Sequence, residues 1–360
     1  MKKTLVAVAA MAAVTGAMAD ATIYGTLEQT YNKSTTTLGG VVINTKTGIG
    51  EYQMGSSLIG FKGSEDLGSG MKASYLYEMG VNLQTSMATP LNRQAFVGLS
   101  GGFGAVRIGK QYSKGFLNAV AADPGGATGA TGALYLAPMT GYNGTEAPLR
   151  QDQGIQWDLP SFVPGLGLTI TKVFGGKNTA KTTADSDTET NGFKTLDGTG
   201  FAISYTSGPL FVGYTTDSVN NTGINFGTND VDPATPNTII AASTTSKNKL
   251  NTATATYDLG MAKLGYNTTK MSVGAEAVST NMMSVNVPLG AASVFYSSSS
   301  GKITSGSTLG AVNLKGSQYG VNYGLSKRTV AYLHGGRLSA ELTSTTKKVN
   351  NYGIGVHHSF

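Results

Sequence analysis

Short segments of alternating apolar and polar side chains recur along the whole chain. In the last segment, the alternate positions from Tyr352 to Phe360 are mostly apolar or aromatic, whereas the positions from Asn351 to Ser359 between them are small or polar. A period of two residues is typical of a β-strand with two different faces. Because a soluble sandwich shows the same alternation, the turns must distinguish it from a barrel.

Seven tight turns, rich in Gly, Pro, Asp or Asn, separate pairs of these segments. They lie at Gly63 to Gly70, Ser100 to Gly104, Leu159 to Gly167, Ser207 to Pro209, Asp258 to Gly260, Asn286 to Gly290 and Ser326 to Arg328. Seven hairpins and one strand at each end predict sixteen strands.

Longer polar stretches connect the hairpins. They are Lys33 to Gly50, Gln84 to Pro90, Ser113 to Leu149, Gly176 to Asp197, Asp217 to Lys247, a brief one at Met271 to Val278, Ser299 to Lys315, and Leu342 to Asn350. Short turns at one end and long loops at the other are typical of bacterial outer-membrane barrels. The even count lets the first strand, Ala21 to Tyr31, pair antiparallel with the last, and no strand edge is left open to lipid. A barrel of sixteen strands is too wide for side chains to fill, so we expect an aqueous channel.

The alternation also assigns the two faces of the barrel. A charge facing lipid near the membrane midplane costs roughly 2–4 kcal/mol. The face of each strand that carries charged residues should therefore point into the lumen. With Phe61, Phe96 and Ile108 outward, the inward set is predicted to include Lys62, Glu78, Arg93, Arg107 and Arg150.

Tyrosines near strand ends predict an aromatic girdle at the two membrane interfaces, although plain β-propensity also explains them. They are Tyr24, Tyr112, Tyr135, Tyr266, Tyr319, Tyr323, Tyr332 and Tyr352.

The N-terminus resembles a secretory signal. Lys2 and Lys3 precede the apolar run Leu5 to Val14, and Ala17-Met18-Ala19 fits a signal-peptidase site. We therefore expect residues 1–19 to be removed and residues 20–360 to form one barrel domain. No later apolar stretch has the length of a membrane-spanning helix.

Composition narrows the chemistry. With no Cys, the exported fold has no disulfide, and its stability must come from continuous strand pairing. The net charge of +6 is mild and no dense basic run occurs, so nucleic acid is a poor candidate partner. Neither a cofactor nor a metal is expected, because the adjacent His357 and His358 point to opposite faces of a strand.

Six segments resemble the general trimeric porins of Gram-negative bacteria, especially the betaproteobacterial branch. They are Ile23-Tyr24-Gly25, Gly60-Phe61-Lys62-Gly63-Ser64-Glu65-Asp66-Leu67-Gly68, Asn92-Arg93-Gln94-Ala95-Phe96-Val97-Gly98-Leu99, Gly109-Lys110-Gln111-Tyr112, Tyr323-Gly324-Leu325-Ser326-Lys327-Arg328-Thr329, and the strand ending in Phe360. The resemblance spans the whole barrel. It implies an all-β, sixteen-stranded antiparallel transmembrane barrel with short periplasmic turns, long external loops and an inward-folded third loop.

The same resemblance implies a pore constriction. Acids of the third loop, Asp123 and Glu146, would face a basic cluster on the wall: Arg93 with Lys62, Arg107 and Arg150, and Glu78 as a lumen carboxylate. Family members commonly carry Arg at the position of Leu58, so this cluster has one cation fewer.

Partners are also implied by the resemblance. It suggests a homotrimer with 84–90 as the latch, contact with outer-membrane lipid and lipopolysaccharide, and Phe360 as the signal read by the barrel-assembly machinery. The expected function is passive diffusion of ions and small hydrophilic solutes. A substrate-specific channel is the alternative, and an outer-membrane hydrolase is a weaker one, since His334, His357 and His358 all lie in the final two strands.

Overall fold

The computed structural model describes residues 20–50, 54–84, 92–126, 149–174, 197–222, 245–273, 276–304, 311–342 and 344–360. The expected signal segment, 1–19, lies outside these ranges. None of the helices among the described residues is long and apolar enough to cross a membrane.

Within the described residues the chain forms one antiparallel sheet and one short helix. The strands are β1 (Asp20–Leu38), β2 (Val41–Gly50), β3 (Leu58–Gly68), β4 (Met71–Gly80), β5 (Asn92–Gly101), β6 (Gly104–Tyr112), β7 (Arg150–Asp158), β8 (Leu166–Val173), β9 (Asp197–Ser207), β10 (Leu210–Thr222), β11 (Thr245–Asp258), β12 (Lys263–Val273), β13 (Glu276–Leu289), β14 (Ala292–Thr304), β15 (Val312–Gly324), β16 (Thr329–Glu341) and β17 (Thr346–Ser359). The helix, α1 (Lys114–Ala121), follows β6.

The sheet closes on itself. β1 pairs with β17 from Thr26↔Ser359 to Leu38↔Lys347. On its other edge β1 pairs first with β3 and then with β2, which lie end to end along it. The seventeen strands therefore fill sixteen positions of a closed antiparallel barrel, as the sequence predicts.

One predicted loop is an ordered β-hairpin. The sequence predicts an external connection at Lys33 to Gly50, but this stretch continues β1 to Leu38 and returns as β2. The turn uses Gly39 and Gly40, whose φ angles of 58° and 90° are accessible to glycine without strain. The polar run Thr35-Thr36-Thr37 keeps strand conformation because β-branched threonines favour it. Apolar alternation ends where the barrel leaves the lipid, whereas backbone pairing goes on.

Other strands extend beyond their predicted ends for the same reason. β10 reaches Thr222 instead of ending at Asp217, and β14 reaches Thr304 instead of Ser299. The seven tight turns all join the predicted strand pairs, but several are narrower: only Ser69 and Gly70 separate β3 from β4.

The two faces differ as predicted. On the outer face Val97, Ile108 and Leu333 are 62%, 53% and 57% exposed. On the inner face Gln156 and Gln318 are each 1% exposed. The barrel therefore presents apolar side chains to its surroundings and polar ones to its interior.

The face assigned to Phe96 is wrong. The alternation predicts this ring outward, but it lies on the inner face, where the Arg107 guanidinium is 5.8 Å from its ring centroid. The β4–β5 register shifts between Tyr77 and Met79, and this irregularity changes the parity, so Arg93 still reaches inward.

The predicted tyrosine girdle is only partly right. Tyr266, Tyr319, Tyr323 and Tyr352 are exposed on the outer face. Three others, Tyr24, Tyr112 and Tyr332, instead point inward, where each hydroxyl binds a charged luminal side chain. Tyr135 lies outside the described residues.

Candidate pore constriction

The third loop, L3 (residues 113–149), enters the barrel at its described start, as predicted. It begins with Ser113, whose hydroxyl caps α1 by accepting a hydrogen bond from the Phe116 backbone N–H at 3.1 Å. The helix then lies against the inner face of β10, β11 and β12.

An apolar patch on the inner wall holds the helix. Ala119 and Ala122 pack with Leu250, Met271 and Met282, all at most 3% exposed. These three wall residues have inward parity, where a barrel lumen is ordinarily polar. Apolar side chains at inward positions of β11 to β13 are thus the sequence signal for where L3 docks.

Small residues allow the close approach. A Cβ at Gly115 would lie 2.9 Å from the Thr215 hydroxyl oxygen, so only glycine fits without adjustment. Beyond the helix, the Ser284 hydroxyl donates to the Ala122 carbonyl at 2.5 Å. L3 is therefore fixed to the wall along α1 and at the C-terminal end of this helix.

Two predicted cations meet at Tyr112, where L3 begins. Arg93 donates to the Tyr112 hydroxyl at 2.6 Å, and Arg150 donates to the same oxygen at 3.3 Å. The Arg150 guanidinium also lies 5.0 Å from the ring centroid. The tyrosine thus holds two positive charges side by side at the base of the loop.

Glu78 and Lys62 join this cluster through Tyr24. The Tyr24 hydroxyl donates to Glu78 at 2.8 Å, and Gln94 donates to the other carboxylate oxygen at 3.0 Å. Lys62 Nζ lies 4.8 Å from the Tyr24 ring centroid. The structure therefore brings four predicted residues onto one polar strip of the inner wall: Lys62, Glu78, Arg93 and Arg150.

Arg107 belongs to a separate group around Asp158, a residue that the sequence analysis does not single out. Asp158 forms ion pairs with Arg107 and with Lys114, the latter at 2.9 Å. The Thr169 hydroxyl donates to it at 2.5 Å. Asp158 shares the inward parity of Gln156, and that parity is the signal that could have found it.

Of the two loop acids, only Asp123 lies among the described residues. Asp123 is 7% exposed, and its carboxylate accepts the Gly125 backbone N–H at 2.9 Å, so it stabilises the turn after α1. Glu146 lies outside the described residues.

Phe360 closes the barrel seam. It exchanges backbone hydrogen bonds with Gly25 at 3.1 and 3.2 Å, and its ring lies over that glycine. Its expected recognition by the assembly machinery stays a prediction.

Among the described residues, no three His, Cys, Asp or Glu side chains lie close enough together to bind a metal ion. The inner wall instead carries fixed charges of both signs. In pores generally, fixed charges that line a narrow point orient and filter charged solutes.

Comparison with known proteins agrees with this geometry. The family model for Gram-negative porins matches residues 7–342. The major outer membrane protein P.IB of Neisseria meningitidis serogroup A is 42% identical over 127 residues, covering 35% of this chain and 36% of that protein. P.IB of Neisseria gonorrhoeae is 44% identical over 116 residues, covering 31% and 33%. The matches span about a third of these curated relatives.

Solved structures share the fold over nearly the whole length. An anion-selective porin from Comamonas acidovorans superposes with a TM-score of 0.73 at 20% identity, covering 95% of this chain and 100% of its own. The trimer form of OmpT from Vibrio cholerae gives 0.66 at 15%, covering 95% and 99%. Because the family model covers most of the sequence and the barrel has the same architecture, this chain belongs to the Gram-negative porin family, whose members reside in the outer membrane.

Proposed function

We propose that the protein is a passive channel through which ions and small hydrophilic solutes diffuse across the outer membrane. The observation that carries the proposal is a closed barrel of sixteen positions with an apolar outer face and an inward-folded L3 beside a charged inner wall. Passage through such a pore needs no energy input, and the constriction sets size and charge preference.

We propose the charged strip as the constriction wall: Lys62, Glu78, Arg93 and Arg150, with Arg107 in the adjoining Asp158 group. The positive charges outnumber the negative ones in this set, which favours anions. Asp123, which also stabilises the loop turn, and Glu146 are proposed from the family pattern as the acids of L3 at the constriction.

Purified protein in planar bilayers tests the proposal. We expect discrete conductance steps, a reversal potential in a salt gradient that reports charge preference, and sugar flux that rises linearly with concentration. Saturable flux for one solute would instead indicate a substrate-specific channel. Absence of any conductance from folded protein would contradict the channel function.

We further propose that the chain has no catalytic activity. His334 lies 2.8 Å from the Asn322 side chain, and His357 faces Glu28. His358 contacts the Thr329 hydroxyl on the outer face. Turnover in a lipase or protease assay, lost on changing His358, would contradict this.

A homotrimer is proposed from the family and from the trimeric neighbour, with 84–90 as the latch; only Gln84 of that segment is described. Mass measurement of detergent-solubilised protein should give three copies.

Exposed basic side chains near the long-loop ends of their strands support contact with phosphorylated lipopolysaccharide: Lys270, Lys302, Lys315 and Arg337. Recognition of Phe360 by the assembly machinery is proposed as well.

A further inference from the structure

The barrel position beside β1 is interrupted, and the interruption carries extra residues. Thr26 pairs with Leu58 of β3, and Thr30 pairs with Gly50 of β2. Between these two pairs β1 has three residues (27–29), whereas the segment that joins β2 to β3 has seven (51–57), an excess of four. Extra residues between paired positions of a sheet form a bulge that disrupts the pairing locally.

The described part of this excess, residues 54–57, lies on the luminal face and is called the luminal bulge here. It is held by Glu28, whose parity is that of the inward-facing Tyr24. The Glu28 carboxylate accepts the backbone N–H groups of Met54 at 3.1 Å and Gly55 at 2.5 Å. The luminal bulge therefore covers the inner face of β1.

Further contacts fix the remaining bulge residues. The Thr26 hydroxyl donates to the Ser56 carbonyl at 2.8 Å, and the Val81 N–H donates to the Ser57 carbonyl at 3.0 Å. The Glu28 backbone N–H donates to the Ser57 hydroxyl at 2.9 Å. Main-chain and side-chain atoms of Glu28 thus bind both ends of the luminal bulge.

Glu28 is itself fully buried, which would be costly for an unsatisfied carboxylate. The Tyr332 hydroxyl donates to it at 2.7 Å and the Thr30 hydroxyl at 3.3 Å. His357 Nδ1 lies 3.7 Å from the carboxylate. Residues of β1, β16 and β17 therefore hold the carboxylate in one orientation toward the luminal bulge.

The luminal bulge also meets L3. After α1, the loop runs past Gln318 of β15, whose side-chain nitrogen would lie 2.6 Å from a Cβ at Gly125. At the next residue, a Cβ at Gly126 would overlap the Met54 carbonyl oxygen. The described end of L3 thus abuts the luminal bulge beside β1, several strands away from β6, where the loop leaves the wall.

We infer that Glu28 is a positioning residue which holds residues 54–57 as a second constricting segment of the pore and thereby supports L3. This inference rests on the proposed channel function. L3 then narrows the lumen together with the luminal bulge, and the width of the opening depends on both.

Glu28→Asp and Glu28→Gln test the inference in the full-length protein. Aspartate keeps the charge but is one methylene too short to reach both N–H groups, and glutamine keeps the length but loses charge and one acceptor. We expect both variants to show a higher exclusion limit for neutral polyethylene glycols and noisier open-channel current. Only Glu28→Gln should also shift the reversal potential, toward anions.

Glu341→Gln, an exposed carboxyl at the end of β16, is the matched control and should keep the wild-type exclusion limit. If Glu28→Gln fails to fold, Glu28→Asp and Ser57→Ala carry the test. Wild-type exclusion limits and noise in folded Glu28→Asp and Ser57→Ala would overturn the inference while leaving a conducting wild type intact. A wild type that does not conduct would instead remove the proposed function.

Discussion

The partner of each charged side chain on the inner wall decides how strongly that charge acts on ions in the lumen. Arg93 donates to the Tyr112 hydroxyl, an uncharged partner, and keeps its full positive charge. Arg107 differs because it shares the Asp158 carboxylate with Lys114, and the carboxylate offsets part of their charge. Arg93 should therefore influence ion preference more than Arg107 does.

Replacing Arg93 with Gln should shift ion preference toward cations. The change removes one positive charge from the proposed constriction, so fewer anions enter. Reversal potential in a salt gradient measures the shift. Arg328→Gln, which removes the same charge from an exposed turn between β15 and β16, should leave the reversal potential nearly unchanged. An equal value for wild type and Arg93→Gln would place Arg93 away from the constriction.

Asp158→Asn should have the opposite sign. Loss of the carboxylate leaves Arg107 and Lys114 without their shared acid, so the reversal potential should move toward anions. Asp66→Asn, at the exposed turn between β3 and β4, is the control. An unchanged reversal potential would mean that the Asp158 group does not face the conducting path.

Residue parity is readable from the sequence, whereas the pairing of side chains is not. Alternation predicts the inward face for Lys62, Glu78, Arg93, Arg107 and Arg150, and each does face the lumen. It fails for Phe96, because the irregular register between β4 and β5 shifts the parity by one residue. It also gives no sign of Glu28, whose role depends on extra residues between two strands that follow it in the chain.

At the scale of elements, α1 is stabilised by its contact with the wall and not by its length. A helix of eight residues is marginal on its own in water. Its buried partners Leu250, Met271 and Met282 lie on three strands, so the docking surface exists only after the barrel has formed. L3 should consequently respond to changes in the wall beneath it.

Met282→Ala should loosen L3 without opening the barrel. The fully buried side chain contacts the helix cluster, and removing it leaves a cavity at a cost of about 2–5 kcal/mol. Limited proteolysis of detergent-folded protein should cut within L3 faster than in wild type. Met283→Ala is the matched control, because the neighbouring side chain is 66% exposed on the outer face. Equal cleavage rates in the two variants would contradict the docking role.

Element ends are the least predictable feature of the sequence. The hairpin formed by the end of β1 and by β2 reads as a loop, because its residues lie where apolar alternation is no longer required. The seven short turns are predictable, since glycine and proline mark them. The pattern of polar residues thus predicts where a strand leaves the lipid, whereas backbone pairing determines where the strand itself ends.

For the whole molecule, closure depends on the seam between β1 and β17. Phe360 and Gly25 exchange two backbone hydrogen bonds at the end of this seam. A Cβ at Gly25 would lie 2.5 Å from the Phe360 ring, so glycine permits the ring to cover the seam. Strand count and closure are predictable from the sequence, because an even number of strands lets every neighbour pair antiparallel without an open edge.

Phe360→Ala separates packing from recognition. The backbone bonds remain, and the ring is 41% exposed, so stability should fall by less than the roughly 3–5 kcal/mol typical of a buried phenylalanine. Refolding in detergent, followed by the heat-dependent gel shift, should be close to wild type. The amount of folded protein in cells should drop several-fold. Equal cellular amounts would contradict a role for Phe360 in assembly.

The seam joins the first described strand to the last one, so one edge of β1 has no partner until β17 has been made. A truncated product that lacks β17 has two unpaired strand edges, and each can pair with a strand of another copy. The unpaired edge of β1 must therefore be shielded until β17 is present, and factors that keep unfolded copies apart become a condition of the protein's abundance.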